Sequence, residues 1–231
     1  MRRIEQDVPP PTQSVEIWDF PTRIFHWTLV ITVFVAFFTG EDDIPVFILH
    51  TYLGYVVGLL VVFRLFWGVV GNRYARFWDF VRPWSVIRSY ARKLMRLSPP
   101  RYIGHNPLGG LMILAILATL AVVVVTGMAA GVDEGAIIPF FSGMPSWIAK
   151  IAEDVHEGFA NFLMVLVAIH VAGVIFDGIL TGENLIKAMI NGHKLIDQSI
   201  EPAPRVGAWR SVFLAVLLGM AWVWMVWQTQ F

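Results

Sequence analysis

The chain has 231 residues, of which 57% are hydrophobic and 15% charged, and its 17 basic and 17 acidic residues cancel. Soluble domains carry about a quarter charged residues, so this composition favours a membrane protein, and the zero net charge provides no bulk field for nucleic acid. The sequence contains no cysteine, which excludes disulfides, thiolate metal sites, iron–sulfur ligation by this chain and the C-x-x-C-H attachment of c-type haem.

Five apolar runs are long enough to be membrane-spanning helices. In chain order they are Pro21–Thr39, His50–Val70, Pro107–Ala130, His156–Leu180 and the tryptophan-rich Ser211–Trp227. The twenty residues before the first run are polar and contain prolines, so we expect no cleaved signal peptide. The sequence therefore predicts an all-α integral membrane protein, with a four-helix bundle followed by a fifth C-terminal transmembrane helix.

The basic residues are sorted to one side of these spans. All 17 Lys and Arg residues except Lys150 belong to the N-terminus, the connections after spans two and four, or the neighbouring span ends. The connection after span one instead carries Glu41, Asp42 and Asp43 and no base. The positive-inside rule then predicts a multi-pass protein of the bacterial cytoplasmic membrane, with its N-terminus inside and its C-terminus outside.

Two connecting segments have helical patterns of their own. Between Trp84 and Leu97, apolar residues follow one helical face and arginines another, which is typical of a helix lying in the membrane interface. The stretch from Pro145 to Asp154 predicts a similar short helix on the outer side, leading into the fourth span.

Four of the six histidines lie in or at the ends of spans, namely His26, His50, His156 and His170. Ionisable residues at membrane depth are costly and rare, so each is a functional candidate, although any one alone can be an ordinary helix-end histidine. The fourteen residues from His156 to His170 correspond to about 21 Å of helix, and the two side chains fall within roughly 40° of one face. One helix thus presents an imidazole near each side of the membrane, which suits two stacked haems.

The directions of the spans predict how these histidines pair. Spans two and four run from outside to inside, and span one runs the other way. His50 and His156 therefore lie near the outer side, whereas His26 and His170 lie near the inner side. Four histidines give two bis-histidine haem sites, and iron with two imidazole ligands keeps no open position, which favours electron transfer over oxygen chemistry.

Three other residues are candidates for contact with a haem. Gly54 and Gly58 follow His50 at steps of four and give a smooth face for a porphyrin, although small residues also serve ordinary helix packing. Arg64 lies fourteen residues after His50 and hence level with His170. It is a candidate partner for a haem propionate, and the alternative is an arginine that snorkels to the inner interface.

The remaining histidines and the intramembrane methionines are not assigned to iron. His105 and His193 fall in inner connections, where we expect solvated side chains. Met112, Met128 and Met164 are interpreted as packing residues.

Several motifs resemble those of the bacterial cytochrome b561 family, which includes the b-type cytochrome subunits of nickel–iron hydrogenases. They are Arg23–Trp27 for the first helix, His50–Gly54 and Phe63–Trp67 for the second, Gly104–Gly109 for the start of the third, and Val155–Glu157 with Ile169–His170 for the fourth. The resemblance extends from about Val15 to Lys194. It implies that the four histidines ligate two b haems, and that electrons pass between a quinone pool and a partner redox protein.

The leading interpretation is a dihaem b-type cytochrome that carries electrons across the membrane, with quinone and a periplasmic or membrane-bound redox protein, such as a c-type cytochrome or a hydrogenase-like enzyme, as its partners. Two alternatives are a haem-free membrane anchor for a partner enzyme and a small transporter with histidine proton relays.

The sequence also predicts how the chain is divided. It predicts a cytoplasmic segment 1–20, a dihaem transmembrane domain 21–194, a cytoplasmic linker 195–210 and the fifth helix 211–231.

Overall fold

A computed structural model describes residues 12–40, 44–131, 141, 143–197, 207 and 209–228. In chain order its elements are β1 (Thr12–Glu16), α1 (Phe20–Phe38), α2 (Ile44–Val70), a 3₁₀ turn (Arg73–Ala75), α3 (Phe77–Phe80), α4 (Trp84–Met95), α5 (Pro107–Ala130), α6 (Ser146–Thr181), α7 (Leu185–Asn191), β2 (His193–Asp197) and α8 (Trp209–Gln228).

Four helices of the described part of the chain are long and apolar enough to cross a membrane: α1, α2 from Val46 onwards, α5 and α6. They coincide with the first four predicted spans, which confirms a mostly helical architecture with four helices that can cross a membrane. The fifth predicted span coincides with α8, which packs against α2. Its passage through the membrane stays a prediction.

The interior of the bundle is apolar and is built by three of these helices. Val57 and Val61 of α2 meet Leu120 of α5 and Leu163 of α6 in one buried cluster. The helices α5 and α6 form the most extensive contact of the fold, and α2 packs against α5. This cluster separates the two ends of the bundle, where the polar residues of interest lie.

Polar side chains fix the starts of two spanning helices. Asp19 accepts a hydrogen bond from the backbone N–H of Thr22 at 2.8 Å, and Asn106 accepts one from the N–H of Gly109 at 2.7 Å. Such caps satisfy backbone donors that the first turn of a helix leaves without partners. Both caps lie at the same end of the bundle, since α1 and α5 run in the same direction.

That end also carries a small extramembrane layer. Strands β1 and β2 pair antiparallel, with Thr12 opposite Asp197 and Glu16 opposite His193. The sheet and its flanks bury a second apolar cluster, which includes Trp18 and Tyr74. The connection 73–101 of this layer carries eight Lys and Arg residues, so we call this end of the bundle the basic end. Part of the predicted linker 195–210 is therefore strand β2.

Two helices begin earlier than their predicted spans. Helix α2 starts at Ile44 rather than at His50, and α6 starts at Ser146, so the expected separate outer helix is instead the first part of α6. Nothing in the sequence after Pro145 breaks the helix before His156. Both histidines therefore lie inside continuous helices rather than at their ends. The predicted interfacial helix is present as α4, with Ile87 and Tyr90 buried.

Candidate functional site

The end of the bundle opposite the basic end brings two of the candidate histidines together. The rings of His50 on α2 and His156 on α6 have centroids 5.9 Å apart and planes at 82°. Nδ1 of His50 lies 2.8 Å from the carbonyl oxygen of Ala36, and Nδ1 of His156 lies 2.8 Å from that of Val123. The two imidazoles therefore have equivalent environments, each held by the backbone of a neighbouring helix.

These hydrogen bonds determine which nitrogen of each ring is available. A carbonyl oxygen only accepts, so Nδ1 of both His50 and His156 must donate an N–H. In a neutral imidazole the other nitrogen, Nε2, then carries the free lone pair and can bind a metal, in the usual arrangement of histidine ligands. Metal–imidazole bonds are about 2 Å long, and the 5.9 Å between the ring centroids is compatible with both rings binding one ion.

Glycines shape the surroundings of this pair. A Cβ atom at Gly127 would lie 2.8 Å from two atoms of the His156 ring, so only glycine lets that ring approach α5. A Cβ atom at Gly54 would meet nothing within 4 Å, which leaves open space beside α2 one turn after His50. At Gly58 a Cβ atom would lie 3.1 Å from Val124. The structure thus leaves open space at Gly54, whereas at Gly58 it favours the helix-packing interpretation.

The basic end holds the other two candidate histidines. His26 on α1 and His170 on α6 are close enough to interact electrostatically. Nδ1 of His26 is buried and has no hydrogen-bond partner. A buried polar atom without a partner costs about 1–3 kcal/mol and calls for an explanation. The site at this end is therefore polar, and the chain alone provides no hydrogen-bond partner for one of its buried nitrogens.

Arg64 lies at the same end and is almost completely buried, with only 3% of its surface exposed. Its guanidinium carbon is 5.1 Å from the centre of the Phe77 ring and 5.7 Å from that of Phe80. Its Nη1 atom is buried without a hydrogen-bond partner. A snorkelling arginine keeps its charged group in water, so this burial does not fit the snorkelling alternative. It fits a cation that is buried to interact with acidic groups.

A buried carboxylate ties the helices that carry these residues. Besides capping α1, Asp19 accepts hydrogen bonds from Nε1 of Trp67 at 3.2 Å and from Nδ2 of Asn72 at 2.6 Å. It is also the acidic group that interacts with Arg64. Asp19 thereby joins the start of α1 to the end of α2. Asp19 is not among the candidate residues predicted from the sequence, although an aspartate directly before Phe20-Pro21 is a recognisable helix-start signal.

The expectation that His105 is solvated is wrong. Its ring centroid lies 4.4 Å from that of Trp18 and 4.8 Å from that of Phe80, and its Nδ1 atom is buried without a partner. Burial, together with the positive charges of Arg64 and Lys194, lowers the pKa of His105 to about 3. The imidazole is therefore neutral. His193, by contrast, is exposed on β2.

The donor set fits a haem better than a bare metal ion. In the described ranges of the chain no three His, Asp or Glu side chains are grouped to hold a metal ion. A haem brings four nitrogen ligands of its own and asks the protein for only two. The ring pair His50–His156, the open space at Gly54 and the buried Arg64, whose Nη1 atom lacks a hydrogen-bond partner, fit such a group.

Comparison with known proteins also points to a haem protein. Residues 17–192 match the family model described as prokaryotic cytochrome b561. The chain is also similar to a probable Ni/Fe-hydrogenase B-type cytochrome subunit of Rhizobium leguminosarum bv. viciae (24% identity, covering 79% of this chain and 90% of the relative). A second such subunit, from Azotobacter vinelandii, is 25% identical, with 79% and 89% covered. The probable Ni/Fe-hydrogenase 1 B-type cytochrome subunit of Escherichia coli K12 is 23% identical, with 77% and 89% covered.

No solved structure matches the chain. The family model nevertheless covers about three quarters of the sequence, including all four candidate histidines. Membership of a family of b-type cytochromes implies haem b, electron transfer and a multi-pass membrane protein, as the four apolar helices also indicate. The chain belongs to the prokaryotic cytochrome b561 family.

Proposed function

We propose that this protein is a dihaem b-type cytochrome that transfers electrons across the bacterial cytoplasmic membrane between a quinone pool and a partner redox protein. The observation that carries the proposal is the pair His50 and His156, whose rings lie 5.9 Å apart with both Nδ1 atoms held by backbone carbonyls. That arrangement presents two Nε2 atoms as ligands for one iron. It also leaves that iron no open position, as electron transfer requires.

The second haem belongs to the basic end. His26 and His170 are its proposed ligands, because they are close enough to interact electrostatically and His26 has a buried ring nitrogen without a hydrogen-bond partner. When bound, each haem would supply a one-electron centre, and the chain would supply histidine ligands, orientation and a low-dielectric surrounding. His156 and His170 lie on the single helix α6, so one rigid element sets the distance between the two centres.

Arg64 and Gly54 complete the proposed sites. The buried guanidinium of Arg64 offers an unpaired N–H donor to an ionised propionate at the basic end. Charge-assisted hydrogen bonds of arginine to carboxylates are among the strong ones in proteins. Gly54 leaves the face of α2 open beside the other haem. We retain Gly58 as a residue that permits close packing of α2 on α5, rather than as a haem contact.

The names of the relatives point to one class of partner. All eight similar curated proteins are named as B-type cytochrome subunits of Ni/Fe hydrogenases. We therefore propose a hydrogenase-like enzyme as the first candidate partner, and a c-type cytochrome as the second. Quinone is the proposed partner within the membrane.

The experiment that tests this function measures haem in the purified chain. We expect a red protein with b-type absorption bands on reduction and two haems per chain in a pyridine haemochrome assay. A value of one haem would contradict the two-site proposal while leaving a b-type cytochrome. A colourless protein that takes up no haem would instead favour the anchor or the transporter with histidine proton relays.

The orientation of the chain is a separate proposal. The distribution of Lys and Arg supports a cytoplasmic basic end, and we propose that α8 crosses the membrane and ends outside. We expect alkaline phosphatase fused after Phe231 to be active, because this enzyme folds only outside the cytoplasm. If that fusion is inactive while a cytoplasmic reporter at the same point is active, either α8 does not span the membrane or the orientation is reversed.

A further inference from the structure

Unpaired polar atoms cluster at the basic end of the bundle. Of the buried side-chain nitrogens without a hydrogen-bond partner, Nδ1 of His26, Nη1 of Arg64 and Nδ1 of His105 belong to residues that interact with one another electrostatically. His26 is a proposed iron ligand and Arg64 a proposed propionate partner. His105 has no role in the proposed function, so its buried nitrogen needs a separate explanation.

The structure fixes His105 beside Arg64. Phe80 is only 1% exposed and contacts both residues. The centre of its ring lies 5.7 Å from the guanidinium carbon of Arg64 and 4.8 Å from the centre of the His105 ring. On its other side His105 contacts Trp18 at 4.4 Å. Arg64 and His105 thus share Phe80 as an aromatic neighbour.

The chain before His105 is anchored rather than free. Nζ of Lys194 donates to the carbonyl oxygen of Tyr102 at 3.1 Å and pairs with Glu183 at 2.7 Å. Directly after His105, Asn106 caps α5. The imidazole is therefore held in place by neighbours on both sides, as a binding group must be.

We propose that His105 is a second propionate-binding residue of the haem at the basic end, acting beside Arg64 and resting on the function proposed above. A haem carries two propionates, and Arg64 accounts for one. His105 is neutral, so it offers a neutral N–H donor rather than a second cation. An uncharged donor satisfies a carboxylate without the cost of burying a further charge next to Arg64.

The alternative is that His105 serves only as an aromatic ring between Trp18 and Phe80. The variant His105→Phe separates these roles, because it keeps an aromatic ring and removes the donor. The variant His105→Gln keeps a donor and removes the ring. His193→Phe is the matched control, since His193 is an exposed histidine on β2 at the same end of the bundle.

Redox titration of membranes containing each variant tests the proposal. In His105→Phe we expect the reduction equilibrium of one haem to move about three- to tenfold towards the oxidised form, because the propionate charge is no longer partly neutralised. A tenfold change corresponds to about 59 mV for one electron. The other haem should keep its midpoint. His105→Gln should restore at least part of the shift, and His193→Phe should leave both midpoints unchanged.

A second readout is the resonance Raman spectrum of the wild-type protein, in which propionate bending bands respond to hydrogen bonding. These bands should change in His105→Phe and not in His193→Phe. Two haems with midpoints and propionate bands unaltered in His105→Phe would overturn the inference while leaving the dihaem function intact. Absence of haem from the wild-type protein would overturn the proposed function itself. If His105→Phe does not accumulate, an unshifted midpoint in His105→Leu decides against the inference in the same way.

Discussion

His26→Ala and His170→Ala are expected to damage one haem, and His50→Ala and His156→Ala the other. An iron that loses one of two axial imidazoles becomes five-coordinate or releases its haem, and its spectrum and potential change. We therefore expect each variant to keep at least one haem per chain with an unaltered midpoint, because the other site retains both ligands. Redox titration with pyridine haemochrome quantification of all four variants is the measurement.

The pairing follows from where the helices place these side chains. His50 and His156 are in ring contact at one end of the bundle, and His26 and His170 interact at the basic end. Variants within a pair should look alike, and variants from different pairs should differ. His193→Ala, at an exposed histidine, serves as the control and should leave both haems intact. If His26→Ala and His156→Ala perturb the same haem, the proposed pairing is wrong.

Much of this arrangement is predictable from sequence because the membrane imposes a simple pattern. A span must be long and apolar, and its interior disfavours ionisable groups. Four histidines in apolar runs are therefore recognisable as functional candidates. The direction of each helix alone predicts at which end of the bundle each histidine lies. The prediction that His50 lies with His156 needed only the rise per residue and the order of the spans.

What the sequence did not reveal depends on contacts between distant segments. The strands β1 and β2 are five residues each and are separated by most of the chain, so no local pattern identifies their pairing. The sequence predicts a fourth helix shorter than α6, because hydropathy marks only the part of a helix that crosses the hydrocarbon region. The polar turns before that part carry no hydropathy signal. The burial of His105 depends on Trp18 and Phe80, which come from two other segments.

The role of Arg64 also depends on contacts between distant segments, so the sequence alone does not decide between a snorkelling arginine and a buried one. An arginine near the end of a span can extend to water or turn inward, and only its surroundings distinguish the two. In the structure α3 covers it, since both Phe77 and Phe80 lie beside the guanidinium. The short segment after α2 thus closes the basic end over a buried cation.

Replacement of Arg64 by Gln is expected to lower the midpoint potential of one haem. A buried positive charge stabilises the reduced haem, which carries one positive charge fewer than the oxidised form. A unit charge about 10 Å from the iron in a medium of effective dielectric constant near 20 contributes about 1.7 kcal/mol, or up to about 70 mV for one electron. The haem ligated by His26 and His170 should shift, and the other should not.

Arg73→Gln is the matched control for this experiment. Arg73 also has its guanidinium over an aromatic ring, that of Tyr74 at 5.8 Å, but its side chain is 59% exposed. Water screens an exposed charge, so this variant should leave both midpoints nearly unchanged. Arg64→Lys should shift the potential less than Arg64→Gln, because it keeps the charge and loses only the planar donor geometry. Equal midpoints in wild type and Arg64→Gln, with two haems retained, would show that Arg64 does not act on a haem propionate.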